Sequence, residues 1–422
     1  MHPTSRPQPL GDGLTLRSLR DDADADRLAA FHGEIHGPSL VPMSLALLRG
    51  HPSASQPEHW LYVEDAAQRI VAGLCLIPWT LRYAGVTLRA GEMAIVGTAE
   101  GFRGRGLIRA LNTRFAALLS AGGYDLSHIQ GIPYFYRQFG YEYAMPLEAW
   151  CRVELYGLPA AADAAPAYVF RRATDADLPD LMRLYDAAAA PLAVSTVRDA
   201  ATWRFLLGPG LMIETAGEPW LIYAPGGDLA GYLRVMPAGF GDGLICGESS
   251  LLSAAAAEAA LRWLLDLACN RGKPYLRLNL PSGHILNELA VRHGASTWRA
   301  YAWQVRLPDP PALLRKLAPA LEARLAGGPF AGLSRDLRIG LYRSAITLRF
   351  RGGRLAAVEP VAPGGPSDLR LPPPLLAPLL FGWRSLDELG HAYPDVIAGG
   401  VERLLVETLF PPSPAAFLYS VY

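Results

Sequence analysis

Two short stretches of this 422-residue chain carry residue types at spacings suited to chemistry. The first is Arg103-Gly104-Arg105-Gly106, with a further glycine at 101. Glycines let a backbone turn tightly and come close to a ligand. Open amides at a helix start, together with its dipole, favour an anion such as a pyrophosphate, and the two arginines add charge-assisted donors. A plain glycine-rich turn with solvated arginines has the same pattern. The spacing is not G-x-G-x-x-G, and the Lys-Ser/Thr ending of a P-loop is missing, so the usual dinucleotide and nucleoside-triphosphate motifs are disfavoured. The second stretch, His32-Gly33-Glu34-Ile35-His36, sets two histidines at i and i+4. Its order is H-x-E-x-H rather than the H-E-x-x-H of zinc helices, with no third ligand evident. It reads as exposed or half-buried helix histidines, and no metal is expected.

The turn needs a strand to lead into it and a helix to follow. Residues 91–98 read as the strand, and residues 107–119 as the helix, with Leu107, Leu111, Phe115 and Leu118 on one face and Gly122-Gly123 as its stop. Upstream, residues 14–17 alternate like a strand, Asp21 and Asp22 are helix-cap candidates, and residues 60–63, 70–76 and 80–83 are strand-like. Downstream, residues 125–129 form a short strand and residues 134–139 an aromatic helix ended by Gly140. Strand and helix alternate throughout, so the fold class is α/β with mixed sheets.

Composition narrows the rest. Apolar residues make up 51% and charged residues 18%, enough for folded cores. Lysine plus arginine equals aspartate plus glutamate at 39 each, which offers no electrostatic basis for a nucleic-acid or membrane partner. The four cysteines, Cys75, Cys151, Cys246 and Cys269, are widely spaced, as suits a reducing compartment. No apolar leader opens the chain and no uninterrupted apolar stretch is long enough to span a bilayer, so a cytoplasmic protein is expected.

The pattern then starts again. Residues 156–167 read as a linker rich in alanine, proline and glycine. A strand follows at 168–172, and Thr174-Asp175-Ala176-Asp177 matches Asp21-Asp22-Ala23-Asp24 at an offset of 153 from Asp24 to Asp177. A strand–helix–glycine unit ends at Gly140 and again at Gly294, an offset of 154. Two distant anchors that agree this closely indicate a duplicated domain. At the same offset, Gly106 falls on Ala260 in an alanine-rich helix and Tyr136 on Ala290, so the second copy reads as degenerate. Pro308–311 marks a further boundary. The third unit opens with a helix at 313–325 and a strand pair at 337–349 and 354–361, has a proline-rich crossing at 372–378, and ends in the tail 416–422. The expected domains are residues 1–155, 165–307 and 311–422.

The run Val96-Gly97-Thr98-Ala99-Glu100-Gly101-Phe102-Arg103-Gly104-Arg105-Gly106-Leu107-Ile108-Arg109-Ala110-Leu111 resembles the acetyl-CoA motif of the GNAT acetyltransferases, Arg/Gln-x-x-Gly-x-Gly/Ala between a strand and a helix. It departs at Ile108, where most members have glycine or alanine. An apolar residue there, followed by Arg-Ala, resembles the Eis subfamily in particular. Pro133-Tyr134-Phe135-Tyr136-Arg137-Gln138-Phe139-Gly140-Tyr141 is similar to the second GNAT element, a tyrosine and then Phe-Gly-Phe/Tyr. Eis-like enzymes join a GNAT domain, a degenerate GNAT domain and a domain resembling sterol carrier proteins, SCP2-like, in that order. Pieces of the last resemble Leu379-Leu380-Phe381-Gly382-Trp383-Arg384-Ser385-Leu386 and Leu409-Phe410-Pro411, so the resemblance covers essentially the whole chain.

This resemblance implies an N-acetyltransferase that uses acetyl-CoA and an amine acceptor, small-molecule or peptide, in a homo-oligomer that is a hexamer by family. Val96, Gly97 and Thr98 would hold the pantetheine and thioester. Arg103, Gly104, Arg105, Gly106, Leu107, Ile108 and Arg109 would hold the pyrophosphate. Tyr136 would be the general acid, since a phenol and an alkyl thiol have similar reference pKa values; read from its residues alone, it is a core aromatic beside Phe135 and Phe139, and only the surrounding motif raises the catalytic reading. The terminal carboxylate of Tyr422 would be the base, with Glu92 or water as the alternative. Val421 stands where some relatives have an acidic residue, which weakens an aminoglycoside-like preference. His128 is either an acceptor-pocket residue or a buried structural one. The rival functions are a non-catalytic acyl-CoA sensor and a lipid carrier acting through the third unit.

Overall fold

The computed structural model describes residues 6–156, 168–213, 216–236, 239, 241–413 and 416–422, except the side chains of 148–150 and 300. The expected linker from 157 to 167 lies outside the described residues. Among those described, fifteen strands join one long mixed sheet and five form a second. No helix among them is long and apolar enough to cross a membrane.

The first run of strands is Leu14–Ser18, Trp60–Glu64, Ile70–Tyr83 and Val86–Thr98, each antiparallel to the next. Helix Leu107–Ala121 then crosses over, and Leu126–Ile129 returns parallel to Val86–Thr98, pairing Glu92 with His128. A crossover helix is what a parallel pair requires. The strand segments expected at 70–76 and 80–83 are one continuous strand that passes through Pro78. The proline is tolerated because one neighbouring strand ends opposite Cys75 and the next, Val194–Val197, begins opposite Thr80. No ladder bond on that side needs its missing N–H.

The second run repeats the connectivity with Val169–Arg172, Glu218–Tyr223, Leu229–Met236, Leu244–Ser249, helix Ala254–Asn270 and the parallel strand Tyr275–Leu278. The closing strands are exchanged. Glu142–Glu154 leaves the first run to pair with Tyr275–Leu278, and Ser296–Arg306 leaves the second to pair with Leu126–Ile129. The two exchanged strands also pair with each other, so the sheet runs unbroken from one half to the other.

The repeat is not in constant register. Gly140 and Gly294 are 154 positions apart, as are the strand starts Glu142 and Ser296. The strand ends Thr98 and Ser249 are 151 apart and the helix starts Leu107 and Ala254 only 147, because the loop of residues 99–106 shrinks to residues 250–253. The counterpart of Gly106 is therefore the cap Ser253, not Ala260 inside the helix. Aligned on the short helices, which start at Phe135 and Ile285, Tyr136 corresponds to Leu286 rather than Ala290.

Beyond Arg306 the chain forms a second sheet, ordered Arg354–Val361, Ala345–Arg351, Arg335–Gly340, Leu369–Arg370 and Ile397–Ala398. The strand expected at 337–349 folds back on itself in a hairpin, with Gly340 opposite Ala345 and Tyr342 in the left-handed region at φ 60. The helix expected at 313–325 is two, Pro310–Lys316 and Ala318–Ala326, since Pro319 starts a new helix better than it continues one. This unit docks on the first run, where Tyr83 donates to the Leu380 carbonyl at 2.6 Å and Lys316 pairs with Asp125 at 2.6 Å. The chain then returns to the large sheet, and Ala416–Phe417 adds a parallel strand to Val194–Val197.

Candidate active site

Strand Val86–Thr98 ends in a bulge that re-aims its last residues. Pairing jumps from Gly73–Gly97 to Cys75–Ala94, so Ile95 and Val96 together face Leu74. Ile95 sits at φ 48, a strained conformation for a β-branched residue. The parallel ladder to Leu126–Ile129 stops at Glu92–His128, and beyond it the two strands line separate walls of a cleft.

The glycine turn closes one end of that cleft. Gly104 and Gly106 have φ of 77 and 75, and a Cβ built on either meets nothing within 4 Å, so the glycines serve backbone conformation beside open space. Gly106 caps helix Leu107–Ala121 without a side chain, which leaves the first-turn amides of the helix available to a ligand. The resulting cleft of about 540 Å³ is lined by Val96, Gly97, Thr98, Arg103, Gly104, Gly106, Leu107, Ile108, Arg109 and Tyr136. Arg105 does not line it; its guanidinium lies 5.0 Å over the Phe102 ring. The Arg109 side chain donates to Gln138 at 3.0 Å. The buried Thr98 Oγ1 has no hydrogen-bond partner among the described residues, as suits a group awaiting a ligand. Open glycines, free helix amides, exposed arginines and an orphaned hydroxyl together fit the pyrophosphate and pantetheine of a CoA thioester.

A second cavity of about 440 Å³ opens on the other side of the bulge and includes Leu40, Met43, Glu92, Met93, Ile129 and Tyr422. The two spaces share Val96, Ile132 and Tyr136. Tyr136 stands on the short 3₁₀ helix Phe135–Phe139, tighter than the aromatic α-helix expected at 134–139. Its ring packs edge-on against Phe135 and Tyr141. Gly131 is needed beside it, because a Cβ there would lie 2.3 Å from the ring. Burial raises the phenol above its ordinary pKa, so it keeps its proton at neutral pH.

Glu92 is buried at the floor of this second cavity, where it accepts from Trp79 Nε1 at 2.9 Å and from the Tyr422 hydroxyl at 2.8 Å. Burial pushes its carboxyl up to about 8, against the lowering effect of the two donors. Tyr422 arrives on a tail that is buried at Phe417, Leu418, Tyr419 and Val421. His51 Nε2 lies 3.1 Å from the Val421 carbonyl, and Arg198 donates to the Ser420 carbonyl at 2.5 Å. Arg198 is itself held by Glu248 through two bonds of 2.8 and 2.7 Å, all buried. The tail is thus docked by residues of both runs, and Ser420 Oγ donates to the terminal oxygen of Tyr422.

The remaining candidates stand apart. His128 is buried, with its ring centroid 4.9 Å from that of Trp79 and 4.8 Å from that of Trp303, and burial lowers its imidazole to about 3. It supports the floor beneath Glu92 and does not line either cavity. His32 is fully buried, not half-exposed, with Nδ1 2.8 Å from Ser44 Oγ, whereas His36 is exposed. Helix Leu40–Gly50 packs over His32 and accounts for the difference. Residues that sequence reasoning missed are Trp79, Gly131, Ile132 and Met43. Only Gly131, just after the short strand, carries a visible signal.

Comparison with known proteins fits this geometry. Residues 49–144 match the acetyltransferase (GNAT) domain family. No curated protein matches the chain. Among solved structures, a GCN5-related N-acetyltransferase from Anabaena variabilis is 18% identical with a TM-score of 0.69, over 96% of this chain and 99% of that one. A conserved protein from Enterococcus faecalis described as a probable N-acyltransferase is 14% identical with a TM-score of 0.70, over 97% and 100%. Eis1 from Mycobacterium abscessus is 17% identical with a TM-score of 0.62, over 96% and 99%. The chain shares their fold from end to end, and its first run carries a GNAT acetyltransferase domain.

Proposed function

We propose that the chain is an acetyl-CoA-dependent N-acetyltransferase in which an amine attacks the thioester directly. The observation that carries this reading is that two cavities of different character meet at Val96, Ile132 and Tyr136. One has the open amides and arginines that an acyl-CoA needs; the other has room for an acceptor. When bound, acetyl-CoA supplies an activated carbonyl and a thiolate leaving group. Backbone groups of Val96, Gly97 and Thr98 orient the thioester arm, and Arg103, Gly104, Gly106, Leu107, Ile108 and Arg109 hold the phosphates, with Arg105 adding charge nearby. Tyr136, protonated and between the cavities, delivers its proton to the departing sulfur. The amine's proton goes to the terminal carboxylate of Tyr422, with Glu92 as the alternative acceptor beside it.

We read the second run as a degenerate GNAT copy and the third unit as the SCP2-like domain of an Eis-like arrangement. The decisive experiment measures thiol release from acetyl-CoA across amines, aminoglycosides and peptides. Acceptor-dependent release supports the enzyme. Tight CoA binding with no release from any class would replace it by an acyl-CoA sensor.

A further inference from the structure

Acceptor choice rests on what the second cavity can solvate. Its walls are Leu40 and Met43 from one helix, Met93 and Ala94 from the central strand, and Ile129 and Ile132 from the opposite side. Leu40, Met43, Met93 and Ile129 are buried, and the polar lining residues beside them, His36 and Gln130, are exposed and uncharged or weakly basic rather than acidic. Among the described lining residues the only acidic side chain is Glu92, at the floor, and it already accepts from Trp79 and Tyr422.

We infer that the acceptor is a compact amine bearing one basic nitrogen on an apolar body, and not a polycation. The inference rests on the N-acetyltransferase reading and specifies its substrate class. An ammonium taken out of water needs a compensating carboxylate or a full set of acceptors. This cavity has its one acidic side chain at the floor, and among the described lining residues the Leu40–Met43 wall offers a second ammonium no carboxylate. The same walls favour the neutral amine over the ammonium, since desolvation disfavours charge, and the neutral form is the nucleophile. An apolar body gains from burial there, and each buried methylene is worth about a fourfold gain in binding.

The test is kcat/KM for thiol release with n-propylamine through n-hexylamine, 1,5-diaminopentane, 1,6-diaminohexane and spermidine. The expected result is a rise of about fourfold per methylene in the monoamines. Each diamine should fall at least about tenfold below its monoamine, which corresponds to one unpaired ammonium. Equal or faster turnover of the diamines or spermidine overturns the inference and leaves the acetyltransferase intact. Release with none of these amines nor any other class, while CoA binds, overturns the acetyltransferase and this inference with it. Met43→Glu adds a carboxylate to the apolar wall, and CoA affinity reports whether the variant is folded. It should raise 1,5-diaminopentane relative to n-pentylamine; an unchanged ratio would mean that charge on this wall does not set the preference.

Discussion

The two runs of strands share a connectivity and differ wherever the first has a group left open. Between strand and helix the first run has residues 99–106, with Gly106 in the left-handed region, whereas the second has residues 250–253 and the side chain of Ser253 accepting from Ala256. The first-turn amides offered to a ligand in one run are partly satisfied internally in the other. The bulge tells the same story. The pair Gly73–Gly97 beside it in the first run corresponds to Arg234–Glu248 in the second. There Glu248 is closed in by Arg198, Arg234 and Tyr232, at 2.7, 3.2 and 2.6 Å. By the pairing with the following parallel strand, where Glu92 faces His128 and Ile245 faces Arg277, Glu92 becomes Ile245, and Tyr136 becomes Leu286 by element alignment. The shared backbone therefore does not make a site by itself. The first run adds a lengthened loop with open first-turn amides, and the second run turns its buried polar groups to the tail that reaches the first.

That division can be broken most severely at Arg198. Arg198→Met leaves Glu248 buried without its main partner and is expected to cost about 3–5 kcal/mol of stability, read from urea denaturation. Wild-type stability would mean that the cluster does not hold the halves and tail together. Next in size is removal of Val421 and Tyr422, which should lower kcat by on the order of 10³-fold with CoA affinity by calorimetry unchanged. Full activity after truncation would move the base to Glu92 or to water. Tyr136→Phe should cost about 10²-fold in kcat, again without weakening CoA. Equal losses in both would make it a packing residue.

The smallest effect on kcat concerns Glu92. Its carboxyl is raised from 4.5 to about 8 in the folded state. Folding therefore takes up a proton in that window, so stability falls as pH rises from about 4.5 to about 8 and levels off above it. Glu92→Gln should flatten this fall in a series of thermal melts while lowering kcat by less than about tenfold. A kcat loss as large as that from tail truncation would transfer the base role to Glu92.

Much of this was legible because it is local. The turn Arg103–Gly106, the helix after it and the tyrosine motif are contiguous runs whose spacing carries their conformation, and the repeat was visible through Asp24, Asp177, Gly140 and Gly294. Its register was not, because the loop before the helix is shorter in the second run and the lost positions are regained before Gly294, so the end anchors Gly140 and Gly294 keep their offset and hide the shift between them. Arg105 read like Arg103 but stacks on Phe102 instead of lining the cleft, and helix periodicity did not reveal that a second helix buries His32.

The sequence by itself determined the glycine turn before the helix, the candidate acid Tyr136 and the apolar tail, since each depends on neighbours a few residues away. Only the tertiary structure decided that Tyr422 meets Glu92, 330 positions earlier, and that the closing strands of the two runs are exchanged. Those outcomes depend on which distant backbones pair and which buried polar groups find partners, and no local pattern encodes either.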